Sequence, residues 1–401
     1  MMQTIGSVPK RALEFGIYRD GDNNLDGSQA VTLGQAVTVS KSDFSIDFAV
    51  EDTTSRRSGN LQTFRYGIAG GAVHNPHVGP GADMASPQNL AAFVARTLDE
   101  AQNNGSRQTW IELSDHGGGD GGGLEADSKH QIMSIDNMAA AIAQGVAMHA
   151  KAHPEDADRR VDGVVANQCL MSSLGFADDL SHAGVNYLAA SPETMLSPGT
   201  PSSVAHAIAQ HLDDPVAMAK AVVSNVMEYK YAAGGEQWGP AAAFDVLDLD
   251  RPKWNAVETT VKIFNDAVGT AAKSETAAIR EDARAIDGMV RFPEATPDMP
   301  WHADRPAIAL YRTIASDGRL SADLRADAAS AATAIATTVL AHRESGDFAP
   351  FAGASYADAA GPTVHFPVSP RQIDPWAPHL SERENTFYKR VDGDTIARII
   401  A

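Results

Sequence analysis

Short apolar runs and amphipathic segments alternate along the first half of the chain. Runs of aliphatic and aromatic residues bounded by turn-forming residues are typical of strands, and they occur at residues 13–18, 44–50, 109–113, 161–166 and 185–190. Apolar positions at helical spacing predict helices over residues 87–101, 135–150, 171–182 and 203–213. Strands and helices that alternate in this way predict a parallel sheet covered by helices on both faces.

The pattern changes to mainly helical from about residue 215. An alanine-rich stretch at 321–342 predicts one long helix, and GPTVHFPVS at 361–369 predicts a strand that returns to a sheet. We therefore predict an α/β protein with a core domain over residues 10–250. A largely helical subdomain over residues 251–401 is expected to pack on that core and to contribute the strand near 361–369.

Composition and charge exclude several classes of protein. The 401 residues include 51 acidic side chains against 32 lysines and arginines, which gives a formal net charge of −19. Phosphate binding requires clustered cations, so we expect no nucleic-acid partner. No apolar stretch is long enough to span a bilayer, and the first twenty residues have no signal-peptide core. We expect a monomer without a membrane partner that is cytoplasmic or is exported by a route that leaves no such signal.

Two residues with catalytic chemistry follow two of the predicted strands. His116 comes just after the strand at 109–113, and Cys169, the single cysteine, comes just after the strand at 161–166. The carboxyl ends of parallel strands share one edge of a sheet, so both side chains are expected at the same crevice. A cysteine beside a histidine is a nucleophile beside a base. Their separation of 53 residues is close to the ~50 found in caspases.

The glycines that follow His116 add a second element of this chemistry. Backbone N–H groups that carry no side chain are suited to an oxyanion hole, and Gly117 together with the Cys169 amide could supply one. The pattern favours catalysis over a buried structural thiol and a turn histidine. The run GGGDGGG is not a phosphate-binding loop, because no Lys-Ser/Thr follows it.

Several segments resemble the clostripain-like cysteine peptidases, bacterial relatives of the caspases. The resemblance runs in good order from about residue 15 to 215 and is patchy beyond. The segments that carry it are IYRDGDNNLD (17–26), ADMASPQNLAAFVARTLDEA (82–101), WIELSDHGGG (110–119), IMSIDNMAAAI (132–142), NQCLMSSLGFADDL (167–180), YLAASPETMLSPGTP (187–201) and TVHFPVS (363–369).

The resemblance implies a caspase-like fold and a cysteine endopeptidase that acts on protein or peptide substrates through a thioester. Carried over by position, Cys169 is the nucleophile and His116 the base, with Gly117 and the Cys169 amide as the oxyanion hole. Asp115, next to His116, is assigned no catalytic role. Ser191 and Glu193 fall in the loop that resembles the family's pocket-lining stretch.

One position departs from the family pattern. The residue two before the cysteine is usually an aspartate that selects Arg or Lys at P1, and here it is Asn167. Because an unpaired buried partner charge costs ~3–5 kcal/mol, the change weakens the expected preference for a basic P1 residue.

Family members also mature by cutting the linker between the two catalytic strands. Lys151, Arg159 and Arg160 in the linker 149–160 are the candidate autoprocessing sites.

Metal sites remain open. The turn DGDNNLDG matches the start of a calcium loop, but Leu33 stands where a bidentate glutamate is required. Some clostripain-like enzymes depend on Ca²⁺, so the resemblance keeps Ca²⁺ open without naming its ligands, and we assign no required cofactor. His149 and His153 are spaced as a helical metal pair, but no third ligand accompanies them, so we expect surface histidines.

Two alternatives to a peptidase stay open. A catalytically inactive or latent caspase-like protein would bind and regulate without Cys169-dependent turnover. A calcium-regulated interaction protein would change stability with Ca²⁺ independently of Cys169.

Overall fold

A nine-stranded sheet with helices on both faces forms the centre of the protein. The computed structural model describes residues 11–55, 59–129, 131–233, 236–286, 303–344, 360–369, 372 and 386–400. Its strands are β1 (Leu13–Gly21), β2 (Ile46–Thr54), β3 (Gln62–Ala69), β4 (Ala72–Pro80), β5 (Gln108–Ser114), β6 (Gly123–Ala126), β7 (Gln131–Met133), β8 (Gly163–Asn167), β9 (Tyr187–Ala190), β10 (Tyr231–Ala233), β11 (Glu236–Trp238), β12 (Ala243–Asp248), β13 (Asp304–Pro306), β14 (Val339–Glu344) and β15 (Thr363–His365).

Helices lie on both faces of this sheet. They are α1 (Asp26–Ser42), α2 (Pro87–Asn104), α3 (Ile135–Ala152), α4 (Leu174–His182), α5 (Val204–Ala209), α6 (Pro215–Glu228), α7 (Arg251–Thr270), α8 (Lys273–Ala285), α9 (Ala307–Ser316), α10 (Ala322–Ala336), α11 (Thr386–Val391) and α12 (Gly393–Ile400).

The sheet is parallel at its centre and antiparallel at its edges. The strand order is β14-β12-β9-β8-β5-β1-β2-β3-β4. The five strands from β9 to β2 are parallel, whereas β12, β14, β3 and β4 run antiparallel to their neighbours. The side chains that point to the two faces alternate along each strand. Val164 therefore packs in one buried cluster with α2, α3, α4 and α7, and Val165 packs in the other with α1, α5 and α6. The predicted α/β sandwich is confirmed.

In the C-terminal half, one prediction is wrong and a second holds only in part. The alanine-rich stretch is not one helix to residue 342, because α10 ends at Ala336 and the chain continues as strand β14 beside β12. The strand predicted over 361–369 is only three residues long. It pairs with β13 and not with the nine-stranded sheet. The strand that the C-terminal half contributes to that sheet is therefore β14. The division at residue 250 stays a prediction.

Sequence patterning missed two parts of the first hundred residues. Helix α1 connects β1 to β2, and its only weakly amphipathic sequence gave no signal at helical spacing. The hairpin β3–β4 extends the sheet beyond β2, and β4 is exposed over most of its length. No helix in the described ranges is long and apolar enough to cross a membrane.

Candidate active site

The two predicted catalytic residues lie at corresponding points of neighbouring parallel strands. β5 and β8 pair in a register that ends with Ser114 opposite Asn167. His116 and Cys169 each follow two residues later, so both lie at the same carboxyl edge of the sheet, as expected for a crevice at this edge. The Gln168 side chain donates a hydrogen bond of 2.8 Å to the His116 carbonyl and ties the two loops together.

The backbone of Gly117 lies directly against the backbone of Cys169. A Cβ atom built on Gly117 would lie 2.4 Å from the Cys169 carbonyl oxygen and 3.0 Å from the Cys169 amide nitrogen. Only a glycine therefore permits this approach. Neither the Gly117 amide nor the Cys169 amide donates a hydrogen bond to another residue in the described part of the chain. Both remain available to a substrate oxygen.

The turn that follows β1 packs on the histidine loop. The Asn24 Oδ1 lies 2.7 Å from His116 Nε2, and the Asn23 amide donates to Asp115 Oδ1 at 2.5 Å and to the Glu125 carbonyl at 3.0 Å. Asn24 thus orients the imidazole. The sequence did not indicate that role, although the residue belongs to the DNNL turn that carries the family resemblance.

Asp115 is a buried structural residue beside His116. It is 2% exposed, and it accepts hydrogen bonds from Asn23 and from the Glu125 amide. Burial, and then the neighbouring Asp20 carboxyl, raise the pKa of Asp115 well above its usual range. Its hydrogen bonds hold the histidine loop in shape.

The surroundings of the Cys169 thiol raise its pKa. The thiol is partly buried, and its sulfur accepts a hydrogen bond of 3.2 Å from the Met195 amide. Burial raises the pKa of Cys169, the Met195 amide lowers it, and the Glu193 and Asp115 carboxyls raise it further. No hydrogen bond joins Cys169 to His116, although the structure describes both side chains. This environment therefore disfavours the thiolate, which is the reactive form.

The Asn167 side chain forms three hydrogen bonds beneath the cysteine loop. Its amide donates at 3.1 Å to Glu112 Oε1 and at 3.1 Å to Ser114 Oγ, and its Oδ1 accepts from the Thr200 amide at 2.8 Å. Glu112 is fully buried, and burial raises its pKa from 4.5 to about 8 although the Asn167 hydrogen bond lowers it. Glu112 could not be recognised from the sequence, because nothing in a strand pattern marks a buried glutamate.

The neutral state of Glu112 makes folding stability depend on pH. A carboxyl whose pKa is higher in the folded state binds its proton more tightly there, so the folded form loses stability as the pH rises from 4.5 to about 8. Glu112→Gln should match the wild type at about pH 5 and should be more stable by on the order of 4 kcal/mol at about pH 9. Denaturant unfolding at both pH values measures this.

A matched control separates this effect from a general loss of negative charge. Glu281 is exposed, and Glu281→Gln should change stability by less than about 0.5 kcal/mol at either pH. A Glu112→Gln variant that gains nothing at high pH would show that folding does not raise the pKa of Glu112.

The two other predicted pocket residues follow strand β9. Ser191 is fully buried, and its hydroxyl donates to the Ala243 carbonyl at 2.8 Å and accepts from the Glu193 amide at 3.0 Å. These bonds give the Ser191 hydroxyl a structural role in the loop. The Glu193 carbonyl accepts from the Leu170 amide at 2.9 Å, and its carboxyl is near enough to Cys169 to raise the thiol pKa.

The linker between the catalytic strands is shorter than predicted. Lys151 lies in the last turn of α3, where cleavage would require unwinding. Arg159 is partly buried, forms an ion pair with Asp156 and donates to the Ser106 carbonyl at 3.1 Å. Arg160 is exposed. Of the three candidate autoprocessing sites, Lys151 and Arg160 are exposed, and of these two only Arg160 lies outside a helix.

The residues of the turn DGDNNLDG do not converge on a calcium ion. Asp22 accepts from the Ser128 hydroxyl, Asn24 bonds His116, and Asp26 forms an ion pair with Arg19. Leu33 lies within helix α1. The turn instead connects β1 to the histidine loop.

Comparison with known proteins identifies the class of fold. No protein-family model matches this sequence, and no curated protein matches it. An irreversible peptide-inhibitor complex of a secreted C11 cysteine protease from Bacteroides thetaiotaomicron is 15% identical, with a TM-score of 0.66, and the match covers 96% of this chain and 100% of that chain. An inactive zymogen of a C11 protease from Parabacteroides distasonis is also 15% identical, with a TM-score of 0.64, covering 96% and 99% of the two chains.

These matches show a shared architecture over almost the whole length of both chains. The protein has the fold of the C11, or clostripain-like, cysteine proteases, so the resemblance is confirmed at the level of fold.

Proposed function

We propose that this protein is a cysteine endopeptidase. The observation that carries the proposal is the pairing of His116 and Cys169 two residues beyond the last paired residues of β5 and β8. The close approach of Gly117 to Cys169 supports it, because this approach brings two uncommitted amides together beside the thiol. The fold shared with C11 proteases is consistent with this chemistry but does not establish it.

The reaction is acyl transfer to sulfur. After the Cys169 thiol has passed its proton to His116, the thiolate attacks the scissile carbonyl carbon, and a C–S bond forms while the Gly117 and Cys169 amides bind the oxyanion. His116, oriented by Asn24, donates a proton to the leaving amine as the C–N bond breaks. Water then hydrolyses the thioester, and His116 takes up a proton from that water.

We propose that the P1 pocket prefers basic residues less strongly than a pocket with an aspartate at its base would. Asn167 carries no charge, and Glu112 beneath it is protonated at neutral pH because its pKa is about 8. Glu193 remains a source of negative charge near the thiol. We expect Arg and Lys among the accepted P1 residues, together with uncharged polar residues.

A latent form is the second candidate. The raised pKa of the Cys169 thiol and the absence of a hydrogen bond to His116 in this structure favour a protein that must change before it reacts. Cleavage of the linker after Arg160 is the change that we propose.

The test is cleavage-site profiling of a mixed peptide library by mass spectrometry. Wild type and Cys169→Ala are compared with Ca²⁺ and with a chelator, and the intact mass of each protein reports any cut in the linker. Cuts that depend on Cys169 are expected, and the enriched P1 residue measures the effect of Asn167. Identical profiles for the two proteins under all conditions, including after the linker has been cut, would overturn the proposal.

A further inference from the structure

A second group of potential metal ligands lies away from the catalytic edge, where α2 meets the end of α3. It consists of Asp99 on α2 and of His149 and His153, four residues apart at the end of α3. The Asp99 Oδ1 lies 2.6 Å from His149 Nδ1 and 3.3 Å from His153 Nε2. One carboxylate oxygen therefore faces a nitrogen of each imidazole. The third ligand that the sequence did not reveal comes from a helix fifty residues earlier.

The opposite nitrogens of the two imidazoles face further carboxylates. His149 Nε2 lies 3.5 Å from Asp156 Oδ2, and His153 Nδ1 lies 3.4 Å from Glu155 Oε1. Metal-bound histidines usually direct their second nitrogen toward a carboxylate or a carbonyl, which fixes the ring and makes it a better ligand. Both histidines have this arrangement.

The burial of His149 is unexpected for a surface histidine. Its side chain is almost fully buried, with 1% of the residue exposed, and its Nε2 makes no hydrogen bond among the described residues. Asp99 forms no ion pair with a lysine or arginine in the same part of the chain. The cluster thus has a buried, incompletely satisfied imidazole and a carboxylate without a cationic partner.

A similar group elsewhere in the molecule lacks these features. Asp178, His182 and Glu258 also come within ligand distance of one another, but Arg251 and Arg390 already bind their carboxylates. Two guanidinium groups neutralise that group, and a cation would have to displace them. The comparison favours the Asp99 cluster as the metal site.

We infer that Asp99, His149 and His153 bind a divalent transition metal ion, with zinc as the best match. Two imidazole nitrogens and one carboxylate oxygen are common zinc ligands. Ligand atoms about 2.0–2.1 Å from a tetrahedral zinc ion stand roughly 3.3 Å apart. The cluster already has one such separation, and the contact between Asp99 and His149 needs to open by less than about 1 Å.

The site would also stabilise the linker that follows α3. Asp156 connects His149 to Arg159, and Glu155 accepts a hydrogen bond of 2.9 Å from Gln102 on α2. A metal ion bound by His149 and His153 would hold residues 153–159 against α2. The inference does not depend on peptidase activity, because the linker can be probed with an added protease.

The test uses full-length Cys169→Ala protein, which has no thiol to bind zinc and cannot cut itself. Isothermal titration with ZnCl₂ near neutral pH should show one zinc ion bound per chain. The double variant Asp99→Asn/His153→Gln, at two partly exposed positions, should bind at least tenfold more weakly. His77→Gln changes an exposed histidine on β4 and should leave the affinity unchanged.

Limited digestion with trypsin provides the second measurement. Zinc should slow cleavage after Arg159 and Arg160 several-fold in the Cys169→Ala and His77→Gln proteins, and should not slow it in the double variant. Thermal melts without metal show whether the double variant is folded. Equal zinc affinity in the double variant and its parent, or no zinc binding by the parent, would overturn the inference.

Discussion

Gly117→Ala is expected to reduce kcat/KM by about 10²–10³-fold, because it removes one oxyanion donor from its working position. The added methyl group would lie 2.4 Å from the Cys169 carbonyl oxygen and 2.8 Å from the Gln168 Cβ. The first of these atoms is part of the backbone of the cysteine loop, and the second is the Cβ atom of Gln168 in the same loop. Neither can turn away by a side-chain rotation, so the loop has to move. A displacement of about 1 Å at a reacting centre is enough for a 10²-fold loss.

Gly118→Ala is the matched control. A Cβ atom on Gly118 would find its nearest neighbour, the Gly122 carbonyl oxygen, at 3.6 Å, which is an ordinary contact. The measurement is kcat/KM for a peptide selected by the cleavage profile, with the rate of Cys169 alkylation by iodoacetamide as a second readout. Equal activity in the two variants would show that Gly117 is not part of an oxyanion hole.

The position of the candidate dyad could be predicted from the sequence because it depends on local features. An apolar run followed by His-Gly, and a second run followed by Cys, place two side chains at one sheet edge as soon as the sheet is parallel. The register of β5 and β8 gives that arrangement in the structure. The fold class followed from the same alternation of strands and helices.

The contacts that complete the site could not be predicted, because they join distant parts of the chain. Asn24 reaches His116 across 92 residues, and Glu112 reaches Asn167 across 55. The Asp99 cluster joins residues separated by about fifty positions. Strand β14 was not predicted, because the alanine-rich stretch at 321–342 favours helix. In the structure, the pairing of β14 with β12 overrides that preference. The cytoplasmic location, the monomeric state and the lack of nucleic-acid and membrane partners remain predictions.

Arg19→Met is expected to lower the free energy of unfolding by about 3–5 kcal/mol at neutral pH, because it removes the cation from a buried ion pair. Arg19 is 1% exposed. Its guanidinium donates to Asp52 at 2.7 Å and to the Asp26 carboxyl at 3.2 Å. Both carboxylates are buried, so water cannot solvate them well enough to compensate for the loss of the Arg19 charge. Lys262→Met, which breaks an exposed pair with Asp266 on α7, should cost less than about 1 kcal/mol.

The size of this loss relative to the exposed pair identifies its cause. A loss no larger than that of Lys262→Met would show that the buried ion pairs of Arg19 do not contribute to stability. Arg19 also donates to the Asp26 carbonyl at 3.1 Å, at the start of α1, two residues after Asn24. If the ion pair holds this turn, Arg19→Met should also reduce kcat/KM in protein that is still folded, because Asn24 would no longer orient His116.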